Sequence, residues 1–432
     1  MVKPIHKKKI VVVGGGAGGL ELVSRLARRY RRDPTVSITL VNDALTHIWK
    51  PHYHEIAAGT LPNSDDEINY LLHATNNGYD FRYGEMIGLD QASKQIIIKT
   101  QLADAAPETF QLSYDILIIA IGSITNHFNI PGVEQYCFTL DTLDQAQRFH
   151  DALLQHLLAT QLRPQQSFNL VIIGGGATGI ELAAELQYAF HIVVKHGFPQ
   201  FNPDKNVTIS LIEAAKSLLN QIPGDLPQQV ESYLTKLPIK LYCDERVKAV
   251  TAKQIITQSG LELPFDLAVW VAGIRAPKVL ASLASLEVNS ISQLIVNQSL
   301  QTTLDPSIFA FGDCAYCPQP HSDKSVPPRA QAAHQQAKFL AAEIPKYLRG
   351  ETPAQFTYHD HGSLISLSAG GGMGELMVRV LGEFKVRGFL ARYFYRFLYF
   401  IHRVNILGFW QVFIRSLANL LTRHTRARLK LH

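Results

Sequence analysis

The chain has 432 residues, 47% hydrophobic, 18% charged and 9% aromatic, with a formal net charge of +5. That length admits two or three domains with full cores, and the composition excludes a disordered or collagen-like chain. Ten of the 41 basic residues and none of the 36 acidic ones follow position 384, so the positive charge belongs to the C-terminal end and marks no general nucleic-acid-binding surface.

The basic start MVKPIHKKKI runs straight into glycines with no cleavable-signal pattern, and no uninterrupted apolar run of about eighteen residues predicts a transmembrane helix. Four cysteines, Cys137, Cys243, Cys314 and Cys317, are too few and too scattered for a disulfide framework or an iron–sulfur cluster. A reducing compartment and no structural metal are expected. The low charged fraction suggests that part of the surface does not face water.

The first predicted element is IVVVGGGAGGLEL, residues 10–22: a buried parallel strand, a G-x-G-x-x-G turn and an apolar helix. Gly14 permits the tight turn, Gly16 lets backbone approach a pyrophosphate, and Gly19 lets the helix pack on the strand. The helix N-terminus then presents unpaired N–H groups and a positive dipole end to the phosphates. The second strand, residues 38–41, ends at Asn42 and Asp43, where an acid normally meets the ribose; Asn42 supplies one acceptor oxygen instead of two. THIWKPHYHEIAAGTL reads as a loop over this sheet, residues 81–100 as an antiparallel excursion, and residues 114–123 as a returning strand with a small-residue end.

The motif recurs as LVIIGGGATGIEL, residues 170–182, with Gly174, Gly176 and Gly179 in the same roles and a helix to about Phe190. Two such turns in strand–turn–helix context imply two dinucleotides, most economically a flavin held permanently and a nicotinamide that comes and goes. After a polar insertion at residues 195–206, the strand VTISLIE ends at Glu213, an acid placed for an adenosine ribose, which predicts NADH over NADPH. Glu181 lies one turn into the second helix, near where a nicotinamide would sit; Glu21 occupies the same position in the first copy.

Strand 267–273 closes the second domain. IFAFGDCAYC then brings Asp313 to a strand tip where its carboxylate can meet a flavin's ribityl or phosphate end. Cys314 and Cys317 form a C-x-x-C, which with no second pair leaves a zinc site incomplete and a dithiol as a minor possibility. In PPRAQAAHQQAKFLAAE, a helix started by prolines, Gln331 and Gln335 share one face and could approach a flavin or a quinone carbonyl. Residues 356–380 read as short strands around a glycine-rich turn. The tail reads as two helices separated near Asn405. In the first, Arg392, Arg396 and Arg403 fall within about 40° on a helical wheel beside a wide aromatic face, the pattern of a helix in a membrane interface. Each cation near an anionic surface would add about 1 kcal/mol.

These residues together resemble the type II NADH dehydrogenases, single-subunit NADH:quinone oxidoreductases of bacterial inner membranes, and look closest to the enterobacterial type. The likeness is carried by VVVGGGAGG, THIWKPHYHEIAAG, AIGS, NIPGVE, IIGGGATGIELAAEL, VWVAGIRAP, FAFGDCAYCP, VPPRAQAAHQ, HGSLISLS and RLKLH. The resemblance implies an α/β fold of two Rossmann-like dinucleotide-binding domains, the two-dinucleotide-binding flavoprotein fold, plus a C-terminal amphipathic-helix membrane-docking region. The expected divisions are FAD domain 1–140 and 291–350, NADH domain 141–290, and small sheet with anchoring helices 351–432.

The resemblance also implies non-covalent FAD at Gly14, Gly15, Gly16, Ala17, Gly18, Gly19, Asn42, Asp43, Lys50, Met86, Ala120, Gly122, Asp313, Ala330 and Gln331. NADH is implied at Gly174, Gly176, Ala177, Gly179, Ile180, Glu181, Glu213, Ala272 and Gly273, and a quinone at Gln331 and Gln335. The expected activity is a ping-pong cycle from NADH to FAD to a membrane quinone, without proton pumping. It would run in a homodimer on the cytoplasmic face of the inner membrane, held to anionic lipid by the tail. The alternatives are sulfide:quinone or disulfide chemistry on the same fold, which needs a cysteine pair at the flavin, and a membrane-bound redox sensor without turnover.

Overall fold

The computed structural model describes residues 7–61, 67–101, 105–195, 198–222, 224–320, 324–367, 372–378 and 382–422. Two parallel sheets dominate. The first runs in the spatial order Ile308–Ala310, Ile116–Ile119, Lys8–Val13, Val36–Asn42, Asp80–Tyr83, and Ile10 pairs with Ile38 on one side and Ile116 on the other. The second runs Ile239–Tyr242, Val207–Ile212, Phe168–Ile173, Leu267–Trp270, and Leu170 pairs with Ile209 and Leu267. Each fingerprint strand lies inside its sheet, with a chain crossover to either side. The crevice beyond its carboxyl end is therefore the topological switch point where such sheets bind ligands.

The duplication extends past the fingerprints. Each fold carries a three-stranded antiparallel excursion: Glu85–Asp90, Gln95–Thr100 and Glu108–Ser113 in the first, Val247–Val250, Gln254–Thr257 and Glu262–Pro264 in the second. Only the first is legible as alternation in the sequence, and there Asp80–Tyr83 joins the parallel sheet instead of the excursion. The chain crosses between folds through an antiparallel pair, Ile124–Thr125 against Ile274–Arg275. After this crossing Ala276, Leu280, Leu283 and Leu286 already pack into the first core, ahead of the return expected at 291.

Several elements shift from their predicted bounds. The second fingerprint helix runs Ala177–Lys195, past Phe190. The amide-bearing helix begins at Ala330, not at the prolines, and reaches Leu348 with Pro345 inside its last turn. A third strand, Gly382–Gly388, pairs with Gly372–Val378 and takes in the first residues of the stretch that reads as tail helix; of the glycine-rich turn AGGGMGEL, residues 372–376 are strand and 369–371 lie outside the described residues. The tail helices are Phe389–Leu407 and Phe409–Thr422, divided by Gly408 at φ +86°. Asn405 stays helical, and its carbonyl and side-chain oxygens accept hydrogen bonds from Arg28 and Arg25. Among the described residues no helix is long and apolar enough to cross a membrane.

The third glycine of each fingerprint works by absence of bulk. A Cβ on Gly19 would lie 1.9 Å from the Gly14 carbonyl oxygen, and one on Gly179 would lie 2.0 Å from that of Gly174. Backbone on both sides leaves nothing to rotate away, so the helix would have to move. Gly179→Ala is expected to lower stability by about 2 kcal/mol or more and to raise KM for NADH while flavin content stays normal. Thermal unfolding with NADH titration checks this, and a KM and melting point equal to the parent's would contradict it.

Candidate active site

The first fingerprint turn presents bare backbone to the crevice. Gly14, at φ +103°, presses against the Ala120 carbonyl, where a Cβ would lie 2.3 Å from the oxygen. Gly16 precedes the helix Ala17–Tyr30 with no side-chain cap and no acid in the first turn, and a Cβ on Gly16 or Gly122 would meet nothing within 4 Å. Uncapped N–H groups beside open space suit a pyrophosphate. Gly18 and Ala17 continue this rim, and a Cβ on Gly18 would strike Phe311. The residues present therefore fit a dinucleotide.

Asn42 turns inward. Its side-chain oxygen accepts from the Gly15 N–H at 2.7 Å and its amide donates to the Ala44 carbonyl. In the second fold Glu213 does the same, accepting from the Gly175 N–H at 2.6 Å and the Ala215 N–H at 2.7 Å. Each strand-tip side chain thus fixes its own turn. One acceptor suffices for that in the first copy, so the Asn42 departure leaves the turn intact. Asp43 is exposed beside it, and Met86, expected near the cofactor, is buried in the first core.

Lys50 and Asp313, far apart in sequence, meet through a residue that sequence reading missed. The Ser123 hydroxyl donates to Asp313 Oδ2 at 2.8 Å, while Lys50 Nζ donates to the Ser123 carbonyl at 3.0 Å and pairs with Asp141 at 3.4 Å. Two further buried groups were missed. The Tyr70 hydroxyl donates to the Gly15 carbonyl at 2.6 Å, and the Gln336 side-chain oxygen accepts from the Gly312 N–H at 2.8 Å. Gln336 stands next to Gln335 but on the other helix face, a position that amphipathic periodicity alone could have flagged.

The second turn repeats the geometry, with Gly174 at φ +122° against Ala272, open space at Gly176, and Ile180 fully buried behind Ala177. Gly273, at φ +67°, has the Phe128 ring where a side chain would be. The two equivalent glutamates differ sharply. Glu21 is 1% exposed and compensated: Arg25 donates to Oε1 at 2.8 Å and the His334 ring lies 2.7 Å from Oε2. Glu181 has the Ser366 N–H on Oε1 at 2.9 Å and His54 at 3.7 Å, with no Arg or Lys bonded to it among the described residues. Burial pushes its carboxyl up to about 8, and neighbouring Glu55 and Glu185 add to that against the Ser366 hydrogen bond. Burial also brings His54 down to about 4. At neutral pH the pair is a neutral acid beside a neutral imidazole.

Both candidate quinone amides are engaged. Gln331 accepts from the Tyr358 hydroxyl at 2.8 Å and the His361 N–H at 3.1 Å, and donates to the Gly362 carbonyl; Gln335 makes a two-way pair with the His359 backbone. They clamp residues 358–362 onto the helix that starts at Ala330. Cys314 and Cys317 are buried free thiols, both raised to about 12 by burial, unsuited to redox exchange; no metal-binding cluster occurs among the described residues. The arginine stripe divides between surface and interior. Arg403 is 6% exposed and lies over the Tyr399 ring at 5.7 Å, whereas Arg396 is exposed and its charge acts on the partly buried Glu55. The Arg392 side chain lies outside the described residues.

Residues 8–337 match the pyridine nucleotide-disulphide oxidoreductase family. The type II NADH:quinone oxidoreductase of Haemophilus influenzae is 36% identical over 98% of this chain and 100% of its own. This chain belongs to the type II NADH:quinone oxidoreductases. The Staphylococcus epidermidis enzyme of that name is 26% identical, over 85% of this chain and 89% of its own. In fold, NDH2 from Plasmodium falciparum in complex with NADH superposes with TM-score 0.81 at 20% identity, covering 98% of this chain and 100% of that one. The sulfide:quinone oxidoreductase of Aquifex aeolicus superposes at 0.71 and 21% identity, covering 92% and 91%, so the architecture is shared beyond the type II enzymes.

Glu181 generates a signed prediction. Its folded-state value of about 8 lies above its ordinary 4.5, so the folded form keeps the proton while the unfolded chain ionises. Stability from this group is intact below about pH 4.5 and falls as pH rises toward about 8. Glu181→Gln should flatten that fall. Melting temperatures across the interval check it, and parallel curves for variant and parent would contradict it.

Proposed function

We propose that the protein carries electrons from NADH to a membrane quinone by way of FAD bound at the first fingerprint turn. The observation that carries this is the pair of intact fingerprint turns, each with uncapped backbone and open space at its second glycine. The chemistry a bound flavin supplies is acceptance of a hydride and its release as two electrons.

The chain's own residues do the rest. The N–H groups from Gly16 onward would hold the FAD pyrophosphate, and Asp313, steadied by Ser123, would meet the ribityl or phosphate end. Gly174, Gly176 and Ala177 would hold NADH. The Glu213 carboxylate at the strand tip repels a 2′-phosphate, which favours NADH over NADPH. Glu181, neutral and nine-tenths buried, places a carboxylic acid near the nicotinamide without a charge that would trap the oxidised ring. Burial of both sides in apolar core keeps water from the transfer path.

The tail supports docking on a bilayer. Tyr393, Phe397, Leu398, Trp410, Ile414 and Leu421 are 45–74% exposed, along both helices. Rings and aliphatic chains on the outward face, with Arg396 exposed beside them and Arg403 turned inward, fit insertion of apolar side chains into the interface. The basic residues of 423–432, which lie outside the described residues, remain for anionic lipid on the cytoplasmic face of the inner membrane. A homodimer, as the resemblance implies, has to leave this face free.

Anaerobic stopped-flow tests the activity. NADH should bleach the flavin and a short-chain quinone should recolour it; bleaching without recolouring would leave only a sensor. Removal of the tail tests docking, and the boundary matters: Ile406 is part of the first core and His73 bonds its carbonyl, so truncation at 388 would open that core. A chain ending at Leu407 should lose binding to anionic vesicles and still oxidise NADH with a soluble acceptor, and retained vesicle binding would overturn the docking assignment.

A further inference from the structure

Beyond its three glutamines, the stretch AQAAHQQA at residues 330–337 holds one ionisable side chain, His334. Its ring is held from behind. Nδ1 lies 2.7 Å from Glu21 Oε2, and Glu21 is itself 1% exposed with its other oxygen taken by Arg25 Nε at 2.8 Å. The order Arg25–Glu21–His334 is a carboxylate-fixed imidazole: the Nδ1–H donates to Glu21, which leaves Nε2 as the nitrogen available to a ligand. The His334 side chain is 41% exposed, and no described residue partners its Nε2. The flanking Gln331 and Gln335 are spent on residues 358–362, so neither offers an unengaged donor on this face. The groups facing the dyad are Glu21 and Arg25 from the first fingerprint helix and His402 from the tail helix, itself bonded to His47 and followed by Arg403.

We propose that His334, oriented by Glu21 and Arg25, is the proton donor of the quinone half-reaction. This rests on the quinone reading above. Quinol formation consumes two electrons and two protons, of which NADH supplies the electron pair with one proton as hydride. The second proton leaves His334 Nε2: the N–H bond breaks with its electron pair kept by nitrogen, an O–H bond forms on the reducing quinone, and the neutral ring takes a new proton from water. The exposed edge of the ring, on the helix the sequence already associates with quinone, supplies both the contact and the route for reprotonation. Glu21 would thus serve the acceptor side as Glu181 serves the donor side, from the same position of the two duplicated turns.

A tie between two packed helices is the competing account, and two variants separate them. His334→Gln keeps an N–H donor to Glu21 and carries no ionisable proton; His334→Phe removes both. The holoenzyme is reduced anaerobically with NADH and mixed with a short-chain ubiquinone in H2O and in D2O. Both variants should recolour about 100-fold more slowly than the parent, bleach with NADH at the parent's rate, and recover part of the lost rate on adding free imidazole. The parent's solvent isotope effect on recolouring should change in both. His334→Gln recolouring at the parent's rate while His334→Phe is slow would overturn the proposal in favour of a structural tie. A parent enzyme that quinone cannot recolour would instead defeat the quinone reading itself.

Discussion

Two contacts between backbone and backbone set the geometry on which the remaining structure depends. At Gly19 and Gly179 a helix lies so close to the carbonyl of the turn's first glycine that no Cβ fits, and at Gly14 and Gly174 the turn lies equally close to the neighbouring strand's end. This closeness aims each helix N-terminus along the crevice at the switch point of its sheet. Strand-tip side chains Asn42 and Glu213 then fasten the second glycine from the opposite side. The same device used twice, on two sheets, produces two crevices whose geometry fits a dinucleotide.

What differs between the copies is how a buried carboxylate is handled. Glu21 receives an arginine and a histidine, whereas Glu181 receives a backbone N–H and carboxylate neighbours that raise it further. Burying a lone charge is costly, so Glu181 keeps its proton, while Glu21 is compensated. The difference arises partly inside the repeats, where the residue four places on is Arg25 in one helix and Glu185 in the other, and partly outside them, at His334 and Ser366. Specialisation of the duplicated fold is thus shared between the fingerprint helices and the added elements.

The fold class and both turns were legible because strand, glycine spacing and helix are local in sequence. Glu213 and Asn42 were legible as strand tips, although their hydrogen bonds go to their own turns. Tyr70 and Ser123 were not, since each reaches the site across more than 50 residues and carries no local signature. Gln331 and Gln335 share a face as expected, but periodicity cannot tell that residues 358–362 fold back onto them. Of the arginine stripe, Arg396 is exposed as expected and Arg403 is buried, because a helical wheel shows which residues share a face and not what each of them meets. Cys314 and Cys317 look reactive as a motif, and burial removes that reading.

The tail belongs to the first fold as well as to the surface. His47 and His402 meet at 3.1 Å, Trp49 stacks on Tyr399 and His402, and Arg25 and Arg28 hold Asn405. Burial brings His47 down to about 4, so the His47–His402 contact is uncharged at physiological pH and weakens as pH falls from about 6.5 toward 4. The central claim remains that one turn keeps its dinucleotide and the other exchanges it. Denaturing the purified protein and measuring the released chromophore, before and after phosphodiesterase, tests that most directly. The account predicts close to one FAD per chain with no retained nicotinamide; a colourless protein that cannot be reconstituted, or one holding FMN, would contradict it.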